Sequence, residues 1–359
     1  MQRDRNPFSA TFSKIPSESY IQTEEASKII ENFSYEEPSE SVYKITGVRG
    51  SGKTVMLAMV ENEFSGKERT AEGWIVYQLS PARDMLKQLA VNILDDTGIR
   101  KKDQGFNLSL NVMGTGAGIG YSSSGDPSLL DYGIEIKRAL RTMRSRGKKI
   151  LIGVDEVSRT EAMVQFASEF GEWLREDLPI YLVCTGLYEN IEQLCNVPNL
   201  TFFRRATTIQ TRPLSMERMS EMYRSRLGID SALGKTLAGM TMGYAYAFQL
   251  LGIQCFENKG EIAGDTDLWE RLRSDLYAYA YEKIWEELSD QDREFVLLIS
   301  DGQEHKREEI IPQMARPSNY SVYRDRLLRR GLILSIKHGY ISLSLPFFGD
   351  YAREYGGIL

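Results

Sequence analysis

The sequence predicts an α/β protein with a parallel sheet, followed by an all-helical segment and a smaller C-terminal unit. Three observations support this prediction. Strand-like apolar runs alternate with segments of helical periodicity before residue 212, a glycine-rich turn joins one of these strands to a helix, and residues 213–288 carry only helical patterns. Strands that alternate with helices form parallel sheets, because each helix returns the chain to the edge where the next strand begins.

The first part, residues 1–212, contains several strand-like stretches with helices between them. SVYKIT precedes the turn GVRGSG, and a helix is predicted from Lys53 to about Phe64. GWIVYQLS, KKILIGV and PIYLVCTGL have the β-branched and aromatic content of buried strands. The segment from about 105 to 125 alternates apolar and polar residues and is rich in glycine, which predicts an inserted hairpin.

The C-terminal part, residues 289–359, has a different pattern. Three helical stretches are followed by two short strands, LILSIKHG and YISLSLPF, which is the order of elements in a winged helix-turn-helix. Together with the all-helical segment 213–288, this divides the chain into three predicted domains. The length of 359 residues suits two or three domains.

The composition indicates a soluble cytoplasmic protein. Hydrophobic residues make up 42% and charged residues 26%, and no apolar run reaches the roughly 18 residues of a membrane span. The three cysteines lack CxxC spacing, which favours a reducing compartment, and two distant histidines disfavour a histidine-based catalytic or metal cluster. The net charge of −6 excludes a polycation that coats nucleic acid, although one domain can still carry a basic face.

The turn GVRGSGKT has the pattern GxxxxGK[ST], which predicts a phosphate site. Glycines allow backbone N–H groups to point inward around a phosphate, and the N-terminus of the following helix adds partial positive charge. Lys53 would neutralise phosphate oxygens, and the Thr54 hydroxyl would bind Mg²⁺. The predicted nucleotide-binding residues of this turn are Gly47, Val48, Arg49, Gly50, Ser51, Gly52, Lys53, Thr54 and Val55.

A pair of acids, Asp155 and Glu156, follows the apolar run ILIGV. A phosphate site of this kind needs a carboxylate at a strand end to hold Mg²⁺, which suits Asp155. Hydrolysis needs a second group that orients and deprotonates the attacking water, which suits Glu156. The alternative interpretation is a solvated or helix-capping acid pair.

With both motifs in place, the chain resembles the AAA+-type P-loop ATPases, in the group of archaeal-type ATPases, STAND NTPases and replication initiators. The resemblance implies a P-loop NTPase core, a helical lid over residues 213–288, and ATP with Mg²⁺ as cofactors. NPFSATFSKIPSESYIQ resembles the family's N-terminal box, which lies against the adenine, so Tyr20 and Ile21 become candidates for base contacts. Thr185 in YLVCTGL corresponds to the sensor 1 position near the γ-phosphate.

The step from core to lid, FFRRATTIQTRPLS, resembles the segment where the family places an arginine that reaches a neighbour's nucleotide. By position this residue is Arg204 or Arg205, and Arg205 is taken as the catalytic candidate, which implies a homo-oligomer. The lid helix GMTMGYAYAFQLLG departs from the initiators, because it has no arginine at the sensor 2 position. This departure brings lid-coupled hydrolysis into question.

The third helix of the C-terminal part carries a cluster of cations, and a winged helix inserts this helix into the major groove. The residues predicted to contact double-stranded DNA are Arg324, Arg326, Arg329, Arg330 and, at the wing tip, Lys337. Phosphate contacts of this kind would make binding salt-dependent. Winged helices also dock proteins, and arginines also cluster on solvated helix faces, so a protein partner remains the alternative.

These patterns lead to three functional hypotheses. The first is a Mg²⁺-dependent AAA+ ATPase that acts as a nucleotide-driven switch or motor on DNA. The second is a STAND-like signalling ATPase with slow turnover, whose winged helix binds protein. The third is a P-loop kinase for a small molecule, which the acid pair and the added C-terminal parts disfavour.

Overall fold

The computed structural model describes residues 5–11, 15–16, 18–97, 131–258, 266–335 and 337–356. The predicted hairpin at about 105–125 lies outside these residues. The first five strands are β1 (Val42–Thr46), β2 (Trp74–Leu79), β3 (Lys149–Val154), β4 (Ile180–Gly186) and β5 (Thr207–Gln210). They form one parallel sheet in the order β2–β3–β4–β1–β5. The predicted fold class, α/β with a parallel P-loop NTPase-type sheet, is confirmed.

Helices cover both faces of this sheet. They are α1 (Glu24–Ser34), α2 (Lys53–Ser65), α3 (Lys67–Ala71), α4 (Met85–Thr97), α5 (Tyr132–Ser145), α6 (Glu161–Arg175), α7 (Tyr188–Cys195) and α8 (Thr201–Arg205). Neighbouring residues of a strand point to opposite faces. In β3, Ile150 and Ile152 therefore pack in the core formed with α4, α5 and α6, whereas Leu151 packs in the core formed with α1 and α2.

All regular elements in the described part of 213–288 are helical. They are α9 (Met216–Leu227), α10 (Ser231–Met240), α11 (Ala245–Glu257), α12 (Thr266–Leu276), a π-helical stretch Tyr277–Tyr281, and α13 (Glu282–Glu286). Phe8 from the N-terminal segment packs between Tyr223 of α9 and Phe248 of α11, with ring centroids 5.6 and 5.7 Å away. The N-terminal segment is thus bound to this helical part.

The C-terminal elements are α14 (Asp290–Leu298), β6 (His305–Lys306), α15 (Arg307–Ile310), α16 (Tyr320–Arg330), β7 (Ile333–Leu334), β8 (Tyr340–Leu343) and α17 (Phe348–Tyr355). The sheet here is antiparallel, in the order β6–β8–β7. It contains the two predicted strands and a third one, β6, which is two residues long and too short to leave a pattern in the sequence. Trp285 of α13 and Phe348 of α17 belong to one apolar core, so the helical part and the C-terminal part are packed together.

Among the described residues, no helix combines the length and the apolar character that a membrane crossing requires.

Candidate functional site

The strand order brings the two predicted motifs to one edge of the sheet. β4 lies between β1 and β3, and all three strands are parallel. Their carboxyl ends therefore meet, which places the turn after β1, the acids after β3 and Thr185 of β4 side by side. A site at the carboxyl ends of parallel strands is the usual location of ligands in open α/β sheets.

The turn between β1 and α2 requires glycine at two positions. Gly50 has a φ of 75° and Gly52 a φ of 90°, a left-handed conformation that side chains disfavour. A Cβ atom at Gly50 would also collide with the hydroxyl of Tyr244. No side chain among the described residues caps the start of α2. Its first backbone N–H groups are therefore available to an anion.

Lys53 is held by the turn that precedes it. Its Nζ donates hydrogen bonds to the carbonyl oxygens of Gly47 at 3.0 Å and Val48 at 2.9 Å. The pKa of Lys53 is lowered to about 8, first by burial and then by repulsion from the Arg49 guanidinium, while nearby acids oppose both effects. A half-buried ammonium that lines the cavity beside a second cation is favourably placed to receive an anionic ligand.

The lowered pKa of Lys53 predicts a pH-dependent nucleotide affinity. Lys53 must be protonated to pair with a phosphate, and in the free protein it loses this proton as pH rises through about 8. Above that pH the affinity for ATP is expected to fall by up to about ten-fold per pH unit, because binding then requires uptake of a proton. Calorimetric titration at pH 8.5 in buffers of different ionisation enthalpy measures this uptake.

Glu61 provides the control for this experiment, because burial raises its pKa to about 7 and it also titrates near neutrality. The Glu61→Gln variant should retain the proton uptake at pH 8.5. Loss of the uptake in this variant would assign the proton to Glu61 and contradict the prediction for Lys53.

Thr54, Asp155 and Thr185 form a connected group of oxygen atoms. The Thr54 hydroxyl donates to the Asp155 carboxylate oxygens, at 3.1 Å for Oδ1 and 2.9 Å for Oδ2. The Thr185 hydroxyl donates to Oδ1 of the same carboxylate. A hydroxyl and a carboxylate that converge at the start of α2 are hard oxygen ligands, and this donor set fits Mg²⁺.

Glu156 differs from Asp155 in the exposure of its side chain and in its backbone conformation. Asp155 is half-buried, whereas Glu156 is exposed to the cleft. Glu156 has a φ of 53°, an uncommon value for a residue with a side chain, and its N–H donates to Thr185 Oγ1 at 3.1 Å. Thr185 thus binds the carboxylate of Asp155 and the backbone N–H of Glu156.

A cavity of about 340 Å³ lies over this group of residues. The turn lines it from Arg49 to Val55, and Gly47 and Val48 lie behind, where their carbonyls bind Lys53. Tyr20 and Ile21 also line this cavity. The structure therefore brings the two predicted base-contact residues and the predicted phosphate turn to one cleft.

The start of α11 contacts the turn directly. The Tyr244 hydroxyl donates to the carbonyl of Arg49 at 2.7 Å, and the N–H of Tyr246 donates to the carbonyl of Gly50 at 3.2 Å. Gln249, further along α11, lines the cavity and accepts hydrogen bonds from the Ser9 N–H and the Ser19 hydroxyl. Through these contacts the helical part binds both the turn and the N-terminal segment that line the cleft.

Arg204 and Arg205 do not approach this cleft within the chain. Both are exposed on α8, which immediately precedes β5. The start of a parallel strand lies at the edge opposite to its carboxyl end, so the arginines lie across the sheet from the turn. Arg205 as a residue that reaches a neighbour's nucleotide stays a prediction.

The predicted DNA-contacting residues have diverse surroundings. Arg326 binds the buried carboxylate of Asp292, Arg329 donates to the Tyr188 hydroxyl at 2.8 Å, and Arg330 forms an ion pair with Glu189. The first of these contacts lies inside the C-terminal part, and the other two hold α16 against α7. Arg324 pairs with its neighbour Asp325, and Lys337 is two-thirds exposed beside Glu304.

Sequence analysis missed two residues that the structure brings to the site. Thr211 follows β5 and donates from its hydroxyl to Ser51 Oγ at 2.7 Å. Glu287 follows α13 and binds Arg49 of the turn, 2.9 Å from Nη2 to Oε1. Neither residue could be identified from the sequence around it, because its partner in the turn is more than 150 residues away.

Comparisons with known proteins agree with this architecture. A family described as a domain of unknown function (DUF8462) matches residues 278–352. No match to the curated proteins was found. The chain is similar to a Walker-type ATPase of Pyrococcus abyssi, with 14% identity, 93% of this chain and 96% of that chain covered, and a TM-score of 0.61. It is also similar to the ORC2 protein of Aeropyrum pernix in its ADPNP–ADP complexes, with 14% identity, 96% of each chain covered, and a TM-score of 0.54. At these identities the likeness shows the fold alone, which is an α/β fold of the P-loop NTPase type.

Proposed function

We propose that the chain binds and hydrolyses ATP with Mg²⁺, as an AAA+ protein with a P-loop core, a helical lid over residues 213–288 and a winged helix over residues 289–359. The observation that carries this proposal is the meeting of five groups at one sheet edge: Lys53, Thr54, Asp155, Glu156 and Thr185. The similarity in fold to solved Walker-type ATPases supports it.

Each group has a role that follows from its chemistry. Lys53 and the N–H groups at the start of α2 bind the phosphates. Thr54 and Asp155 would hold Mg²⁺, which supplies positive charge to the β- and γ-phosphate oxygens. Glu156, exposed to the cleft, orients the attacking water and accepts its proton. Thr185 positions the Asp155 carboxylate and the Glu156 N–H through its hydroxyl, as a residue of the sensor 1 position would.

The test measures the rate at which the full chain releases phosphate from ATP. This rate is compared between Mg²⁺ and EDTA, and between the unaltered protein and the Thr54→Val variant. We expect release that requires Mg²⁺ and falls by at least about ten-fold in the variant, because the hydroxyl ligand is lost. Thr236→Val, an exposed helix position, is the matched control. Phosphate release that persists in EDTA would contradict the proposed site, and so would a rate in Thr54→Val equal to that of the unaltered protein.

We further propose that the C-terminal part binds double-stranded DNA through its exposed cations. Arg324 and Lys337 remain candidates for phosphate contacts. Lys306 and Arg307, which lie over the rings of Tyr340 and Tyr320, extend the same unit with two further cations. Arg326, Arg329 and Arg330 would be free for DNA only after their present contacts are broken.

Duplex binding measured at two salt concentrations tests this interface. A protein that contacts phosphates through Lys337 and Arg324 should bind less tightly at higher salt, and the double variant Arg324→Ala/Lys337→Ala should reduce the slope of log K against log salt by about 2. An unchanged slope would remove these residues from the interface.

One observation favours the second candidate function, a slow signalling ATPase that binds protein. All five predicted DNA-contacting cations have partners within the chain, and three of them, Arg326, Arg329 and Arg330, bind residues of other helices. In that case duplex DNA neither binds in a salt-dependent way nor stimulates hydrolysis, so the same two assays separate the candidates. A homo-oligomer with Arg205 in trans is compatible with both.

A further inference from the structure

Arg49 lies at the centre of the phosphate turn but points away from it, toward the C-terminal half of the chain. Its Nη2 donates to Glu287 Oε1 at 2.9 Å. Its Nε is buried and has no acceptor among the described residues. Arg49 is a lining residue both of the nucleotide cavity and of the smaller cavity beside Glu287 and Arg330. A buried guanidinium N–H without an acceptor is costly, which leaves this donor ready for an incoming oxygen.

The position of Arg49 relative to Lys53 has an electrostatic consequence. The two cations are close enough for the Arg49 guanidinium to lower the pKa of Lys53, and Glu287 acts on Lys53 in the opposite direction. Glu287 therefore supplies part of the negative charge that balances this cluster of cations. A nucleoside triphosphate bound at Lys53 would bring more negative charge than one carboxylate, and Arg binds phosphate in a bidentate fashion.

The partner of Arg49 is part of a wider contact between the ATPase core and the C-terminal part. The backbone carbonyl of Glu287 accepts a hydrogen bond from Arg330 Nη1 at 3.1 Å, and Arg330 forms an ion pair with Glu189 of α7. The carbonyl of Leu328 in α16 accepts from Gln210 Nε2 of β5 at 2.6 Å. The end of α16 is thus held on the core by contacts that adjoin the phosphate turn.

We propose that Arg49 is a phosphate-responsive latch, which pairs with Glu287 when the cleft lacks a triphosphate and transfers to the terminal phosphate when a nucleoside triphosphate binds. This inference rests on the proposed function of the cleft. Transfer of Arg49 leaves the Glu287 carboxylate without its partner and weakens the hold of the core on α16. The C-terminal part is released, and Arg329 and Arg330 become accessible to a partner.

The latch makes two equilibria depend on each other. A triphosphate that competes for Arg49 has to break the Arg49–Glu287 pair, so the pair lowers triphosphate affinity. By reciprocity, whatever draws the C-terminal part away from the core raises that affinity. A diphosphate, which lacks the terminal phosphate, does not compete for Arg49 and leaves the latch closed.

A double-mutant cycle of nucleotide affinity tests the exchange of partners, with ATP and ADP as the ligands. Glu287→Gln should tighten ATP binding by about three- to ten-fold, the effect of removing one charged hydrogen bond, and should change ADP binding by less than about two-fold. In an Arg49→Ala background the same Glu287→Gln change should alter ATP affinity by less than about two-fold, the remaining effect of the Glu287 charge on Lys53. Glu221→Gln, which removes an exposed ion pair on α9, is the matched control.

The distance between the core and α16 tests the release. Spin labels at Glu68→Cys and Ser321→Cys, both exposed positions, are introduced with Cys195→Ser as background, since Cys184 and Cys255 are buried. We expect ATP, but not ADP, to lengthen the distance, and Glu287→Gln to lengthen it without nucleotide.

Two outcomes would overturn the latch while the proposed ATP site stands. One is an effect of Glu287→Gln on ATP affinity that is just as large in the Arg49→Ala background. Glu287 would then act on ATP through its charge alone and not through Arg49. The other is saturable ATP binding with an unchanged distance between the labels. Failure of the unaltered protein to bind ATP at all would instead refute the proposed function of the cleft.

Discussion

Replacement of Glu156 by glutamine is expected to leave ATP binding intact and to slow hydrolysis by about 10²–10⁴-fold, the usual contribution of a positioned general base. The amide keeps the size of the side chain and the hydrogen bond from the Glu156 N–H to Thr185, but it cannot accept a proton from water. Single-turnover phosphate release and equilibrium ATP binding, measured on the same preparation, separate the two steps.

The control for this variant is Glu161→Gln, which removes an exposed acid at the start of the next helix. It should hydrolyse ATP at the rate of the unaltered protein. Equal rates for Glu156→Gln and Glu161→Gln would contradict the assignment of the base. Loss of ATP binding in Glu156→Gln would instead indicate that Glu156 is needed to build the cleft.

Replacement of Arg326 by alanine is expected to destabilise the C-terminal part by about 3–5 kcal/mol, because it leaves a buried carboxylate without its counter-charge. The Asp292 side chain is 1% exposed, and Arg326 donates to its Oδ1 from Nε at 2.8 Å and from Nη2 at 2.6 Å. Ser289 satisfies the second oxygen at 2.9 Å. Removal of the guanidinium therefore affects folding before it affects any ligand.

Hydrogen exchange of the amides in α14 and α16 measures this effect locally, which suits a chain with more than one cooperative unit. Protection should fall by about 10²–10⁴-fold in Arg326→Ala, which corresponds to the loss of about 3–5 kcal/mol of opening free energy. Arg324→Ala, whose partner Asp325 is exposed, should leave protection within about two-fold. Unchanged protection in Arg326→Ala would show that the arginine is free to serve as a DNA contact.

The candidate nucleotide site could be predicted from the sequence because its signals are local. The spacing of Gly47, Gly52, Lys53 and Thr54 follows from the geometry of a turn between a strand and a helix, and Asp155 follows directly after a buried strand. The carboxyl ends of parallel strands lie at the same edge of the sheet, even when the strands are far apart in the sequence. The α/β class follows from the same alternation of elements.

The environment of α16 was not predictable in this way. A run of arginines in a helix indicates a solvated or DNA-binding face, yet Arg326 and Arg330 bind acids that lie in other helices. Whether an arginine pairs with a buried carboxylate depends on how the helices pack. The residues next to the arginine in the sequence do not show this. The Arg49–Glu287 pair has the same origin, since the packing of α13 against the turn creates it.

The central claim is that the turn from Gly47 to Thr54 binds ATP, and calorimetric titration of the full chain with ATP tests it most directly. The unaltered protein should bind one ATP per chain in a saturable manner. In Lys53→Ala the affinity should fall by at least about ten-fold, since a cation that pairs with phosphate is removed. Absence of binding by the unaltered protein, or equal affinity in Lys53→Ala, would contradict the account.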